Sequence, residues 1–334
     1  MNPTTKRWLV RGVKFFLAAL LLFFISKQFI TDLRNPELYE IKPSPGWLVA
    51  SAAFYMIGLL PSMWYWRHLH FKFGYPIPFY AGFRAHYISQ LGKYVPGKAL
   101  AIAMRADLMH PYGVPYGVSI IITFYEVLTS MAAGGMVAAL IYVVEPPEGS
   151  EKLLHDVGIE VHPFWIGLVL VAMCGLPLVP GVFNFIIAKL TSRLQAVELY
   201  RLPPAQFGTL ALGLVMTGIG WWMLGLSMWA MLKAVTHTAP DLTVSWLAQY
   251  TAAVAFSNVA GFVIIVLPAG FGIREGMLKN LLSAAGDSVY ITAAVLLLRL
   301  DWIVAEIIVG ACLYLIKPQI ASSESPSTDQ TVAE

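Results

Sequence analysis

A helix that crosses a lipid bilayer needs about 20 predominantly apolar residues. Seven windows of this 334-residue chain supply them, roughly 12–30, 46–66, 115–144, 163–188, 206–232, 243–267 and 289–316. Water is therefore excluded as the solvent of the fold. Only 12% of the positions are charged and 58% belong to the hydrophobic set, against roughly 25% charged in soluble domains, and the mean hydropathy is +0.68. The expected fold class is all-α, a polytopic membrane helical bundle with about seven spans. The first window follows Lys6, Arg7, Arg11 and Lys14 as a secretory leader would. Its apolar run is long, however, and Lys27-Gln28-Phe29 offers no small-residue cleavage site, so it reads as an uncleaved anchor. Residues 1–317 read as one integral membrane domain, and 318–334, rich in Ser, Thr, Asp and Glu, as a disordered polar tail.

Charge placement matters more than charge sum in such a chain. The net charge is only +3, too small a surplus to suggest a nucleic-acid partner. Fifteen of the 22 Lys and Arg fall in alternating connections that include the N-terminus and residues 67–114, and six fall on the other side. That asymmetry places the N-terminus in the cytoplasm of a protein integral to the cell (inner) membrane. Cys174 and Cys312 lie inside apolar runs and read as small packing residues.

Two segments depart from a simple bundle. Residues 78–109 are too polar to face lipid yet too apolar and too helical in period for an open loop. Residues 268–286, PAGFGIREGMLKNLLSAAG, share that character. In both, a Pro and Gly break precedes a helical stretch with basic residues, the pattern of a re-entrant or half-inserted helix covered by protein. Gly270 and Gly272 permit backbone conformations closed to other residues. A helix starting near Ile273 would aim unbonded N–H groups at the break, with Arg274 in its first turn, which makes an anion site. Glu275, its neighbour, points elsewhere on the helix. Tyr94-Val95-Pro96-Gly97-Lys98 offers a similar arrangement, with Lys93 and Arg105 nearby. Those cations either bind a phosphate or snorkel at the interface.

Ionisable groups at bilayer depth cost about 2.5–3.5 kcal/mol each, so they pair or line a wet cavity. Glu126 and Arg299 lie near the middle of their windows, with Asp301 and Glu306 following. Either Glu126 or Asp301 neutralises Arg299 as a buried strut, or the charges line a polar groove. Pro96 precedes Glu126 by 30 residues and Pro268 precedes Arg299 by 31, which hints at a duplicated unit. With both breaks assigned to the cytoplasmic side, the repeats would be parallel. Gly270-x-Gly272 lacks any βαβ context, the seven histidines show no His-Glu-x-x-His pattern, and no Gly-x-Ser-x-Gly elbow occurs. No cofactor, metal or catalytic constellation is expected, and the chain reads as a non-enzyme.

SQLGKYVPGKA (89–99), the glutamate of FYEVL (124–128), LPAGFGIREGML (267–278) and the arginine of LLLRL (296–300) together resemble the lysylphosphatidylglycerol synthase transmembrane-region family of flippase-like membrane proteins. The resemblance covers about 10–316. It implies translocation of an anionic phospholipid or a lipid-linked sugar intermediate, without the cytosolic synthase domain of the bifunctional members. A membrane enzyme of the same pathway is an implied partner. The residues it carries over are Tyr94, Pro96, Gly97, Glu126, Pro268, Gly270, Gly272, Arg274, Glu275 and Arg299, to which the basic residues Lys98 and Arg105 add phosphate contacts. Ala269 stands where relatives commonly have Gly. An integral-membrane transferase acting on lipid-linked substrates, or a non-catalytic partner of one, is the alternative.

Overall fold

The computed structural model describes residues 37–94, 99–146, 163–191, 204–236, 238–263 and 273–316. Eleven α-helices order these residues: α1 (Glu37–Glu40), α2 (Pro45–Lys72), α3 (Phe79–Gln90), α4 (Ala99–Met109), α5 (Tyr116–Val144), α6 (Pro163–Gly175), α7 (Pro180–Thr191), α8 (Phe207–Val235), α9 (Val244–Val263), α10 (Ile273–Leu281) and α11 (Ser288–Leu315). No strand occurs among them. Helices α2, α5 and α8 are long and apolar enough to cross a membrane. So are α6 and α7 together, which are bent by 68° where Pro177 and Pro180 interrupt the backbone ladder. The 28-residue α11 is as long as α2 but carries Arg299, Asp301 and Glu306. The anchor window 12–30 and the tail 318–334 lie outside the described residues.

Local chemistry sets the ends. Pro45 occupies the first turn of α2, where no amide partner is lost. That helix stops at Gly74, whose φ of +86° is open to glycine, and the Tyr75 N–H bonds back to the His70 carbonyl at 2.9 Å. Helix α11 starts at Asp287, whose carboxylate accepts the Val289 N–H at 2.9 Å.

The centre of the bundle is an antiparallel pair. Helix α2 lies against α8 in a register that repeats every seven residues. The Ser44 N–H donates to the Ala234 carbonyl at 2.8 Å, and the Ser51 and Ser227 hydroxyls meet at 3.1 Å. Further along, Gly58 faces Gly220, and Tyr65 covers Gly213. Small residues at each crossing let the backbones close up, the usual means of association where hydrophobic burial gives no advantage. A Cβ on Gly220 would sit 2.6 Å from the Gly58 carbonyl oxygen. Gly220→Val is accordingly expected to destabilise the protein by about 1–3 kcal/mol through overpacking, read as a fall in the unfolding midpoint of detergent-solubilised protein.

The other helices arrange themselves about this pair as two copies of one plan. In each half a long helix (α2, α8) is followed by a hairpin (α3–α4, α9–α10), a short 3-10 turn and a second long helix (α5, α11). The hairpins are interlocked: α3 packs along α11 of the other half, and α9 along α5. Tyr80, at the start of α3, donates to the Ile316 carbonyl just beyond α11 at 3.0 Å, and Arg84 to Leu313 at 2.9 Å. Ser245, at the start of α9, donates to Glu145 just beyond α5.

These contacts overturn the expectation of parallel repeats. Hairpin α3–α4 starts after the end of α2, and its last residue, Met109, clusters with Leu69 and Phe73 at that same end. Hairpin α9–α10 belongs to the opposite end, where Leu278 and Leu282 cluster with Val235, Ala239 and Ile291. The halves are therefore inverted, related by an axis across the Gly58–Gly220 contact. Lys279 moves to the end where α8 finishes, and α11 finishes at the end where α2 does. The charge count assigned both breaks to one side because a re-entrant hairpin returns to the side it left, so it shifts every later connection by one crossing.

Candidate functional site

Helix α2 presents two polar positions on one stripe, Tyr55 and Ser62, separated by seven residues and about 10 Å of rise. Each bonds to a buried carboxylate. The Ser62 hydroxyl donates to Glu126 Oε1 at 2.8 Å, and the Tyr55 hydroxyl donates to Glu306 Oε1. Each carboxylate also receives a cation from the broken segment 79–109. Arg105 of α4 donates from Nη1 to Glu126 Oε2 at 2.7 Å, and Lys93, in the 3-10 turn after α3, pairs with Glu306. Two ion pairs thus stack along α2, held from the other side by one interrupted hairpin.

The first pair is sealed. Arg105 and Glu126 are 6% and 4% exposed. Arg105 Nε also donates to Ser89 Oγ at 2.9 Å, and its guanidinium lies 5.4 Å from the centre of the Trp66 ring. Both groups have the bonds that a buried ion pair requires, so this cluster has the character of a strut. Glu126 is consequently Arg105's partner, and the expectation that Glu126 or Asp301 neutralises Arg299 is corrected. Helix α10 turns back beside α11 and supplies Glu275, which pairs with Arg299.

Among the described residues the second cluster is richer in cations than in acids. Around Trp302 stand Lys93, Arg274 and Arg299, against Glu275 and Glu306. Tyr55 stacks on one side of the Trp302 ring, centroids 4.3 Å apart and 8° from parallel. The guanidinium of Arg274 lies 4.6 Å from the ring centre. The Trp302 indole N–H is fixed by Ser227 Oγ at 2.9 Å, and Ser227 is itself held by Ser51 at the α2–α8 crossing. Lys93 bonds to the Tyr55 hydroxyl at 2.9 Å and lies over the Tyr94 ring at 5.2 Å. Tyr94 stands in the fields of Glu306, Arg274 and Arg299. Among the described residues Arg274 has no ion pair, and Glu275, one position along, spends its carboxylate on Arg299.

Of the residues expected from sequence, Tyr94, Arg274, Glu275 and Arg299 come together here. Arg105 and Glu126 meet each other one α2 stripe position away. Pro96, Gly97, Lys98, Pro268, Gly270 and Gly272 lie outside the described residues. Lys93 and Glu306, noted from sequence beside a break and within a span, join the second cluster, and Tyr55, Trp302, Ser62, Ser89 and Ser227 were not foreseen. The serines and aromatics resemble ordinary membrane-helix packing until their partners are known. Among the described residues no group of three or more His, Cys, Asp or Glu could hold a metal ion.

A helical bundle built on close small-residue crossings, with inverted halves and internal ion pairs at interrupted helices, is the construction of an integral membrane protein. The family model described as the lysylphosphatidylglycerol synthase TM region matches residues 12–310, and the chain belongs to that family. It is a membrane protein of a family concerned with lipid modification or translocation. No curated protein matches the chain significantly.

Proposed function

We propose that this protein moves an anionic lipid headgroup, phospholipid or lipid-linked intermediate, between leaflets while the acyl chains stay in the bilayer. The observation that carries the reading is the excess of cations over acids about Trp302 among the described residues, with Arg274 held on an aromatic face and paired there with no described carboxylate. A guanidinium so placed has its donors available for a phosphate, which it engages in bidentate fashion. Glu275 and Glu306 pair with Arg299 and Lys93, so among the described residues the site offers one positive charge to a headgroup rather than three. Tyr94, Lys98 and the backbone N–H groups at the two breaks would complete the headgroup contacts, and Arg105 and Glu126 would hold the hairpin that carries Tyr94.

The same reading orients the molecule. The end where α2 and α7 finish carries Arg67, Lys72 and Lys189, and by the positive-inside rule it faces the cytoplasm of the cell membrane. The test is leaflet exchange in vesicles of phosphatidylcholine doped with fluorescent phosphatidylglycerol, with purified protein reconstituted. Protein-dependent access of an external quencher to the inner-leaflet probe is expected, with a weaker effect on a fluorescent neutral glycolipid. Equal, protein-independent quenching in all vesicles would reject the reading.

A further inference from the structure

Trp66, which flanks Arg105, carries a second set of contacts. His70 of α2 packs edge-on against its ring, centroids 4.5 Å apart at 78°, and His86 of α3 lies 6.3 Å from it. The two imidazoles are 0% and 1% exposed, and none of their four ring nitrogens has a hydrogen-bond partner among the described residues. Ser119 Oγ, in the first turn of α5, is likewise buried and unbonded. It stands one turn before Thr123, whose hydroxyl oxygen accepts the Trp66 indole N–H at 3.2 Å. Five unsatisfied polar atoms from three helices are thus placed about one tryptophan. Leaving such atoms dry would cost about 1–3 kcal/mol each. Buried polar groups gathered in this way are bridged by internal water with two to four partners.

We propose that His70, His86 and Ser119 enclose a hydrated proton-binding site that acts on the Arg105–Glu126 pair. Its ligand is water and the proton that water delivers. Arg105, from α4, reaches the same tryptophan, its guanidinium 5.4 Å from the Trp66 ring centre. On α5 the facing groups are Ser119, Thr123 and the Glu126 carboxylate that holds Arg105, and on α3 they are Ser89 and the Tyr87 ring, 6.1 Å from His86. With both imidazoles neutral, Arg105 is the cation of this cluster and belongs to Glu126. A proton passing from hydronium to a ring nitrogen leaves water behind and adds a second cation beside Arg105. The guanidinium is then repelled, and the carboxylate gains a competing partner. Return of the proton to water restores the pair. Ser62 and Ser89 tie this exchange to α2, which carries Tyr55 of the headgroup cluster, and to α3, which leads into the 3-10 turn that carries Lys93. The coupling to transport rests on the proposed lipid movement, whereas the site itself does not.

The experiment has two arms on the full-length protein. Deuterium exchange at the histidine Cε1–H, read by mass spectrometry with fragment ions separating His68 from His70, measures water access, with His110 as the exposed reference. Measurable exchange at His70 and His86 is expected, and its absence while His110 exchanges overturns the site. In reconstituted vesicles, a pH gradient is expected to alter the rate of phosphatidylglycerol exchange in the native protein. His86→Gln, which keeps a hydrogen-bonding side chain, should retain basal exchange and lose the response, as should His70→Gln. A response unchanged in both variants, or no response in the native protein, overturns the coupling. A native protein that moves no lipid at all rejects the transport reading and the coupling that rests on it, and the deuterium arm still decides the site.

Discussion

Arg274→Ala is expected to lower phosphatidylglycerol exchange in reconstituted vesicles about 10- to 100-fold, the loss that follows from removing a charge-assisted hydrogen bond of about 1.5–3 kcal/mol. The variant should fold normally. Arg274 has no ion pair among the described residues, so its removal leaves no buried carboxylate without its paired cation, and its contact with the Trp302 face is lost. Arg274→Lys should fall between the two, because an ammonium keeps the charge but not the planar fork. Wild-type exchange in Arg274→Ala, with monodisperse protein of normal thermal stability, would refute the assignment of Arg274 as the headgroup cation. The same outcome would leave the ion-pair architecture untouched.

Arg105→Met should have the opposite profile, a large loss of stability. Glu126 would keep the Ser62 hydroxyl but lose its cation at 4% exposure. Breaking one side of a buried pair costs about 3–5 kcal/mol. The double variant Arg105→Met, Glu126→Leu should recover most of that loss, since two apolar groups of similar size can replace a buried pair at little penalty. Thermal or denaturant unfolding in detergent, run as a double-mutant cycle, measures both quantities. If the double variant is no more stable than Arg105→Met, the pair is not an independent strut, and Ser89 and Trp66 bind Arg105 into a larger unit.

Three of the seven expected spans, or four with the bent α6–α7 pair, were legible because apolar runs of sufficient length report themselves. The boundaries of α2, α5, α8 and α11 fall close to the windows read from sequence. The interrupted segments were legible for the same reason inverted: a helical period with too many polar residues must be covered by protein. Helix α10 begins at Ile273, where the Gly270 and Gly272 break placed it. Partner choice was not legible. Glu126 meets Arg105, and Arg299 meets Glu275, only because each short helix doubles back along the long helix that follows it. Nothing in the local sequence says how far it doubles back. Sidedness failed at α10 for a related reason. Lys279 looks cytoplasmic when the window 243–267 is counted as a full crossing, and it lies at the other end once the α9–α10 hairpin is seen to return.

The inverted halves have an electrical consequence. A rotation about an axis across the helices reverses the component, along them, of any charge separation, so two identical ion pairs so related would cancel. Here the signs are exchanged as well: the short helix carries the cation in Arg105–Glu126 and the acid in Glu275–Arg299. The two reversals compound, and the components add. A voltage across the bilayer therefore pulls on both pairs in the same sense, and a backbone that is nearly indifferent to which face is up becomes a polarised object in an energised cell.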